Sequence, residues 1–250
     1  MLDRSRLEKI GAIFFALAVW QLGAKLLGQD LLLVAPTTVI QRLYSLWITA
    51  DFWRAIGFTF ARIVLGFSLA LLVGSLLATL AAKYHLVEVI IWPFVATIKS
   101  IPVASFIILC LIWLSASNLS VFISLVMAFP IIYTNILQGI RSTDHKLLEM
   151  ANLFRVNWLK RIKYIYLPQL RPYLTSASSV AIGLSWKAGV AAEVIGIPAG
   201  SIGERLYEAK VYLSTSDLFA WTVVIVAVSI VFEKAFLLLL QGLFARLEKS

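Results

Sequence analysis

Three ionisable side chains lie inside long apolar runs of this sequence: Lys99, Lys187 and Glu193. A charged group in hydrocarbon costs a few kcal/mol or more, so each is a candidate for a polar pathway or a buried pair. Lys99 lies just before Pro102, which lacks a backbone donor, so it either lines a pathway at a broken helix or pairs with a neighbouring helix. Lys187 and Glu193 point about 120° apart on a helix and do not face each other. We expect these two residues in a translocation pathway.

Other chemistry is weakly represented in the sequence. Arg62 and the Glu233-Lys234 pair lie nearer the ends of apolar runs, where we expect structural pairing. A membrane-embedded enzyme needs a cluster of His, Asp, Glu, Ser or Lys within its spans, and no such cluster is visible. The chain has one cysteine, Cys110, and two histidines, which disfavours a metal centre, a haem site or a disulfide framework. We therefore expect neither a catalytic residue nor a metal ligand.

The segment from Arg141 to Pro172 is long, basic and amphipathic. A connection between two spans needs only a handful of residues, whereas this one keeps apolar residues at helical spacing. They are Leu147, Leu148, Ala151, Phe154, Trp158, Ile162 and Ile165. An apolar helix face must be buried against something, and two surfaces are open: anionic lipid or a groove on a cytoplasmic partner. The residues by themselves favour the partner.

Helices that cross a membrane must position these residues. The chain has 250 residues, of which 61% are hydrophobic and 14% charged, against about 25% charged in a soluble domain. The apolar runs are continuous and do not alternate, so the spans are helical. We predict an all-α integral membrane protein with six transmembrane helices. They cover residues 10–27, 55–82, 87–114, 121–140, 173–197 and 218–240, with a break near Pro102 in the third and a tight turn at residues 115–120.

Lysine and arginine divide unevenly between the two sides of this topology. One side holds Arg4, Arg6, Lys9, Lys83, Arg141, Lys146, Arg155, Lys160, Arg161, Lys163, Arg171, Arg246 and Lys249. The other side holds Lys25, Arg42, Arg54, Arg205 and Lys210. The richer side is cytoplasmic by the positive-inside rule, so both termini and segment 141–172 are expected in the cytoplasm. The net charge of +9 then reports orientation, and we expect no nucleic-acid partner. The apolar stretch after the basic start lacks a cleavage site, so we expect a retained first span.

A motif at fixed spacing lies in that cytoplasmic segment. Residues 149–151 read Glu-Met-Ala and residues 165–168 read Ile-Tyr-Leu-Pro. This resembles the signature of ABC importer permeases, which is Glu-Ala-Ala, a Gly four positions after the last Ala, and Ile-x-Leu-Pro. Met150 stands for an Ala, and Arg155 stands for the Gly that makes the turn between two short helices. Asn157 is a candidate for the left-handed conformation in that turn.

Further stretches are similar to the nitrate/sulfonate/taurine branch of these permeases: residues 99–102, 183–187, 191–196 and 200–203. The resemblance covers about residues 35–247. It implies one transmembrane permease domain over residues 1–250 with a type I ABC importer permease-like fold, a core at 55–240 and a coupling segment at 141–172. Expected ATPase-coupling residues are Leu147, Leu148, Glu149, Ala151, Phe154, Arg155, Ile165, Leu167 and Pro168. Expected pathway residues are Lys99, Pro102, Trp186, Lys187 and Glu193.

The resemblance also implies partners. In this family two permease subunits enclose the pathway, two cytoplasmic ATPases drive it, and an extracytoplasmic binding protein delivers the substrate. We expect a homodimer of permeases in the bilayer of a bacterial inner membrane. The sequence has no Gly-x4-Gly-Lys-[Ser/Thr] phosphate loop, so we expect no enzyme activity and no cofactor here, with ATP bound by the partners.

The substrate class stays open at this point. Sulfonates, nitrate, and vitamin or pyrimidine precursors all fit the branch. The alternative function is a stand-alone secondary transporter. Such a protein should have broken helices in both halves of the chain, and the sequence indicates one break.

Overall fold

The computed structural model describes residues 4–29 and 31–249, and the regular structure of that part is helical throughout. The helices are α1 (Arg4–Leu27), α2 (Pro36–Trp47), α3 (Ala50–Lys83), α4 (His85–Ser100), α5 (Val103–Cys110), α6 (Ala116–Arg141), α7 (His145–Leu153), α8 (Trp158–Arg161), α9 (Leu167–Gly196), α10 (Ile202–Val211) and α11 (Thr215–Lys249). A π-helical turn, Ile162–Tyr166, joins α8 to α9. The predicted all-α class is confirmed.

Within the described residues, three helices are long and apolar enough to cross a membrane by themselves: α3, α6 and the part of α11 up to Leu247. The bent pair α4 and α5 counts as a fourth span if it crosses as one unit, and the apolar part of α1, Gly11–Leu27, is shorter. Helix α9 has 30 residues but is too rich in Ser, Gly and charged residues to be recognised by apolarity alone. A multi-pass membrane protein is therefore supported, and the count of six spans stays a prediction.

The predicted break in the third span is confirmed. Helices α4 and α5 meet at an angle of 108°. Ile101 between them is extended, with ψ 130°. The pyrrolidine ring of Pro102 clashes with a helical residue before it, which ends α4 at Ser100. Lys99 therefore lies in the last turn of α4 at the corner of the bend, not in the middle of a straight span.

Some predicted element boundaries were wrong. Residues 115–120 are not a tight turn, because α6 begins at Ala116 after an extended Ser115. The polar residues there form the first turns of a helix, and Ser120 is fully buried. Helix α9 likewise begins at Leu167, six residues before the predicted span. Its Pro168 closely follows the π-helical turn Ile162–Tyr166, so the chain is helical on both sides of the proline.

The centre of the fold is the packing of α6 against α3 and α9. A Cβ atom built on Gly66 of α3 would lie 2.4 Å from the Val121 carbonyl oxygen of α6, so the two backbones touch. The Ser124 hydroxyl donates to the Ser185 carbonyl across α6 and α9 at 3.1 Å. Small residues that allow close approach are typical of helix pairs in membranes. This core holds α7 and α8 at one end of the bundle.

Helices α10 and α11 complete the other end and one flank. Helix α11 packs on α9, α10 and α2, and its Phe232 meets Phe67 of α3 edge-to-face at 6.0 Å. The Arg42 guanidinium of α2 pairs with Asp217 at the start of α11, at 2.5 Å. The amphipathic α2 thus closes the end of the bundle opposite α7.

Candidate functional site

The coupling segment, residues 141–172, is held near its start by hydrogen bonds to α4 and α9. Arg141, the last residue of α6, donates two hydrogen bonds to the Glu88 carboxylate of α4, at 2.7 and 2.5 Å. Asp144 caps α7 by accepting from the Lys146 amide at 2.9 Å. The Asp144 amide donates to the Gln169 side-chain oxygen of α9 at 3.1 Å. These contacts give α7 a defined position although nine residues form a marginal helix alone.

The turn after α7 is a Schellman motif with arginine in the glycine position. Arg155 has φ 49°, and the Val156 amide donates to the Ala151 carbonyl at 2.9 Å. Asn157, the residue considered for this conformation, is extended and lies at the N-cap position of α8, where its side chain makes no capping hydrogen bond. The reason is spacing: the hydrogen bond from Val156 back to Ala151 requires the left-handed residue immediately before Val156. An arginine there costs about 1 kcal/mol relative to glycine.

Arg161 fastens this turn, a role that the sequence reasoning missed. Its Nε donates to the Val156 carbonyl at 2.9 Å and its Nη2 to the Ala151 carbonyl at 3.2 Å. A guanidinium supplies several donors in a fixed plane, which suits two carbonyls in one turn. The only sequence signal was a basic residue at the end of a predicted short helix.

The predicted apolar stripe of α7 divides into an inner and an outer part. Ala151 is 1% exposed, whereas Phe154 is 77% and Leu153 83% exposed. Leu147 and Leu148 are half-buried. Ala151 therefore packs inside this chain, whereas Leu153 and Phe154 form an exposed apolar surface.

The other predicted coupling residues support the segment in different ways. Glu149 is exposed and lies 3.1 Å from the His145 imidazole one turn earlier. Ile165 is buried in the π-helical turn, Leu167 is half-buried, and Pro168 is exposed at the start of α9. The second half of the motif thus forms the π-helical turn and the first turn of α9, which continue the chain from α8.

Two of the predicted pathway residues are exposed lysines on different helices. Lys99 and Lys187 both have accessible side chains. Their chain neighbours Ile98 and Ala188 belong to one apolar cluster formed by α4, α5, α6 and α9, so the two lysines flank the same region. Pro102 is exposed beside Lys99. Among the described residues, no ion pair involves either lysine.

Trp186 and Glu193 lie in the interior of the single chain. Trp186 is 2% exposed and its ring centre is 6.2 Å from that of Phe60 on α3. Glu193 is fully buried and accepts a hydrogen bond from the Thr59 hydroxyl at 2.7 Å. The Gly203 amide, in the first turn of α10, donates to the same carboxylate oxygen at 3.4 Å. A helix N-terminus favours an anion at this place.

Thr59 links three helices around Glu193. Its hydroxyl donates to the carboxylate of α9 and accepts from the Ile202 amide of α10 at 3.0 Å. A Cβ atom on Gly203 would lie 2.3 Å from the Glu193 Cβ, so α10 touches α9 directly. A threonine inside an apolar helix carried no signal in the sequence. These hydrogen bonds fix the start of α10 against α3 and α9.

The remaining intramembrane charges have local contacts. The Arg62 guanidinium lies 3.5 Å from the centre of the Phe58 ring, a cation–π contact. Glu233 of α11 accepts a hydrogen bond from the Ser179 hydroxyl of α9. The first contact lies within α3, and the second joins α11 to α9.

Comparison with known proteins agrees with the motif and the helical architecture. The family described as "Binding-protein-dependent transport system inner membrane component" matches residues 70–249. A putative aliphatic sulfonates transport permease protein of Bacillus subtilis (strain 168) is 25% identical over 215 residues, covering 85% of this chain and 77% of the relative. A taurine transport system permease protein of Escherichia coli (strain K12) is 23% identical over 239 residues, covering 93% and 86%.

Other relatives carry different solute names. A formylaminopyrimidine transport permease protein of Halalkalibacterium halodurans is 24% identical over 191 residues, covering 75% of this chain and 76% of the relative. The resemblance inferred from the motif is confirmed, including the nitrate/sulfonate/taurine branch. This chain belongs to the family of inner-membrane components of binding-protein-dependent transport systems.

Proposed function

We propose that this chain is the permease subunit of an ATP-driven importer in a bacterial inner membrane. Two copies enclose the pathway, two ATPase subunits bind the coupling segments from the cytoplasm, and an external protein delivers the substrate. The observation that carries the proposal is the pair of exposed apolar residues, Leu153 and Phe154, on a segment whose start is hydrogen-bonded to α4 and α9. The family gives no support to a stand-alone secondary transporter.

The surface formed by Leu153 and Phe154 is already ordered in the single chain. Leu153 and Phe154 project from the end of a capped helix whose next turn is closed by Arg161. Because the backbone is already ordered, docking costs little further conformational entropy. A large aromatic side chain that enters a groove is a typical interface anchor. The ATPase supplies that groove, and its movement is transmitted through Arg141 and Gln169 to α6 and α9.

The pathway residues divide into lining and supporting roles. Lys99, Pro102 and Lys187 are accessible on one copy, and lysines facing lipid would be costly. A second copy of the chain encloses them in a polar pathway. Trp186 and Glu193 do not line the pathway but stabilise the helices that form it. Glu193 does so by accepting a hydrogen bond from the first turn of α10.

ATP hydrolysis belongs to the partner subunits, so this chain is not itself catalytic and holds no cofactor. The substrate is a small organic or inorganic solute. The relatives are named for sulfonates, taurine and formylaminopyrimidine, and the solute of this chain belongs to the same range: a sulfonate, nitrate, or a vitamin or pyrimidine precursor.

The proposed function is tested by reconstitution in liposomes. The chain alone should show background ATP hydrolysis, because its sequence has no phosphate loop. With its cognate ATPase and binding protein, hydrolysis should rise when substrate-loaded binding protein is added, and solute should accumulate in the lumen. Solute uptake by the chain alone, driven by an ion gradient, would overturn the proposal.

The pathway assignment predicts a transport defect without an assembly defect. Lys99→Gln and Lys187→Gln should each lower solute uptake at least about tenfold, since an intramembrane cation is expensive and is retained for a role. Co-purification with the ATPase should be unchanged. Lys210→Gln, a neutralised exposed lysine on α10, is the control and should transport normally. Loss of ATPase binding in either pathway variant contradicts the assignment.

A further inference from the structure

An open groove of about 780 Å³ lies between the coupling segment and the bundle. Its lining comes from the ends of α3 and α6 and from the start of α8, the π-helical turn and α9. The residues that line it include Thr79, Lys83, Trp158, Ile162 and Tyr166. Carbon atoms make up most of the accessible surface that lines the groove, so its floor is apolar. The groove therefore suits a hydrocarbon chain.

The groove also lies where the apolar helices end. Thr79 and Lys83 belong to the last turns of α3, one of the three helices long enough to span a membrane by themselves. Trp158 is 60% exposed and lies with its ring centre 6.2 Å from that of Tyr166. Exposed Trp and Tyr side chains are typical of the level of lipid headgroups. The mouth of the groove is thus at the membrane–water interface.

The charge at the mouth of the groove is positive. From Met150 to Ala192 the sequence has no Asp or Glu, and the charged side chain among the residues that line the groove is Lys83. Arg161 is bound to backbone carbonyls, whereas the Lys83 side chain is exposed, with its ammonium 5.2 Å from the centre of the Tyr84 ring. The acid at the start of α4, Glu88, is engaged by Arg141. An occupant with a negative headgroup is complementary to this rim.

We propose that the groove binds an anionic phospholipid. Its acyl chain lies on the apolar floor of the groove, and its phosphate lies at Lys83. The lipid fills the groove between α8 and the bundle, and its contacts with both stabilise the position of the coupling segment. The site is separate from Leu153 and Phe154 of α7, so the proposal does not rest on the proposed function.

The test uses the purified full-length chain in detergent and brominated phospholipids that quench tryptophan fluorescence. The signal of Trp158 is the difference between the unmodified chain and Trp158→Phe. Brominated phosphatidylglycerol should quench this signal with an apparent affinity about fivefold higher than brominated phosphatidylcholine. Lys83→Gln should remove that preference. Lys25→Gln, a lysine in the last turn of α1, is the matched control and should keep it.

A second pair of variants tests the groove itself. Thr79→Phe fills the groove and should lower quenching by both lipids. Thr222→Phe is its control, since Thr222 is an exposed threonine of α11 that bonds to the carbonyl four residues earlier, as Thr79 does. Equal quenching of Trp158 by both lipids overturns the proposal. So does loss of the lipid signal when the ATPase subunit or a second permease copy binds, because that partner would then be the occupant.

Discussion

Phe154→Ala should abolish substrate-stimulated ATP hydrolysis by the assembled importer while membrane insertion stays normal. Phe154 is 77% exposed at the end of α7, so its truncation leaves no cavity in this chain. Removing an aromatic anchor from an interface costs about 2 kcal/mol or more, which lowers the affinity for the ATPase at least about thirtyfold. Co-purification with the ATPase and stimulated hydrolysis in liposomes measure the two effects separately.

Tyr212→Ala is the matched control for this variant. Tyr212 is 80% exposed after α10, at the opposite end of the bundle, and its loss should leave the ATPase bound. Ala151→Arg is a poor test of docking, because Ala151 is buried inside the chain and arginine there would displace the turn itself. If Phe154→Ala transports at the unmodified rate, α7 is not the coupling element, and a lipid-surface role for the segment takes its place.

Gly66→Leu should prevent the chain from accumulating in a folded state. A Cβ at this position would meet the Val121 carbonyl oxygen at 2.4 Å and the Ser124 Cβ at 2.8 Å. The obstacle on α6 is backbone, which cannot rotate away, so α3 and α6 must separate along the centre of the bundle. Overpacking by a flexible side chain costs about 1–3 kcal/mol, and a collision with backbone exceeds that range.

Gly57→Leu on the same helix is the control. A Cβ there has no neighbour within 4 Å, so the identical substitution should give normal yield and a melting temperature within a few degrees of the unmodified chain. Fluorescence-detected size-exclusion chromatography and thermal unfolding in detergent compare the two variants. A monodisperse Gly66→Leu protein with unchanged melting temperature would show that the close contact of α3 and α6 does not stabilise the fold.

Local rules were enough to predict several features from the sequence. The apolar runs and low charge indicate membrane helices, and Pro102 ends α4 because a residue before proline avoids the helical conformation. The spacing between Glu149 and Pro168 indicates the family. Each of these signals depends on residues that are close in the chain or on composition, so no knowledge of packing is required.

The detail of the coupling turn was beyond those rules. Glycine and asparagine are the usual residues for a positive φ, and that preference pointed to Asn157. The structure places Arg155 there because the Schellman hydrogen bonds after α7 fix the position, and Arg161 stabilises the same turn. Hydrogen bonding in the folded segment outweighs the intrinsic preference of one residue.

The charged residues in the helices also separate what the sequence predicts from what the tertiary structure decides. The sequence alone determined that Lys99, Lys187 and Glu193 need polar surroundings, since water and hydrocarbon differ so much in their solvation of charge. Only the tertiary structure decided which surroundings each one has. Glu193 is buried beside Thr59 and the start of α10, whereas the two lysines are accessible. The partner of Glu193 on α3 is 134 positions away in the chain, and helical periodicity carries no information about contacts between helices.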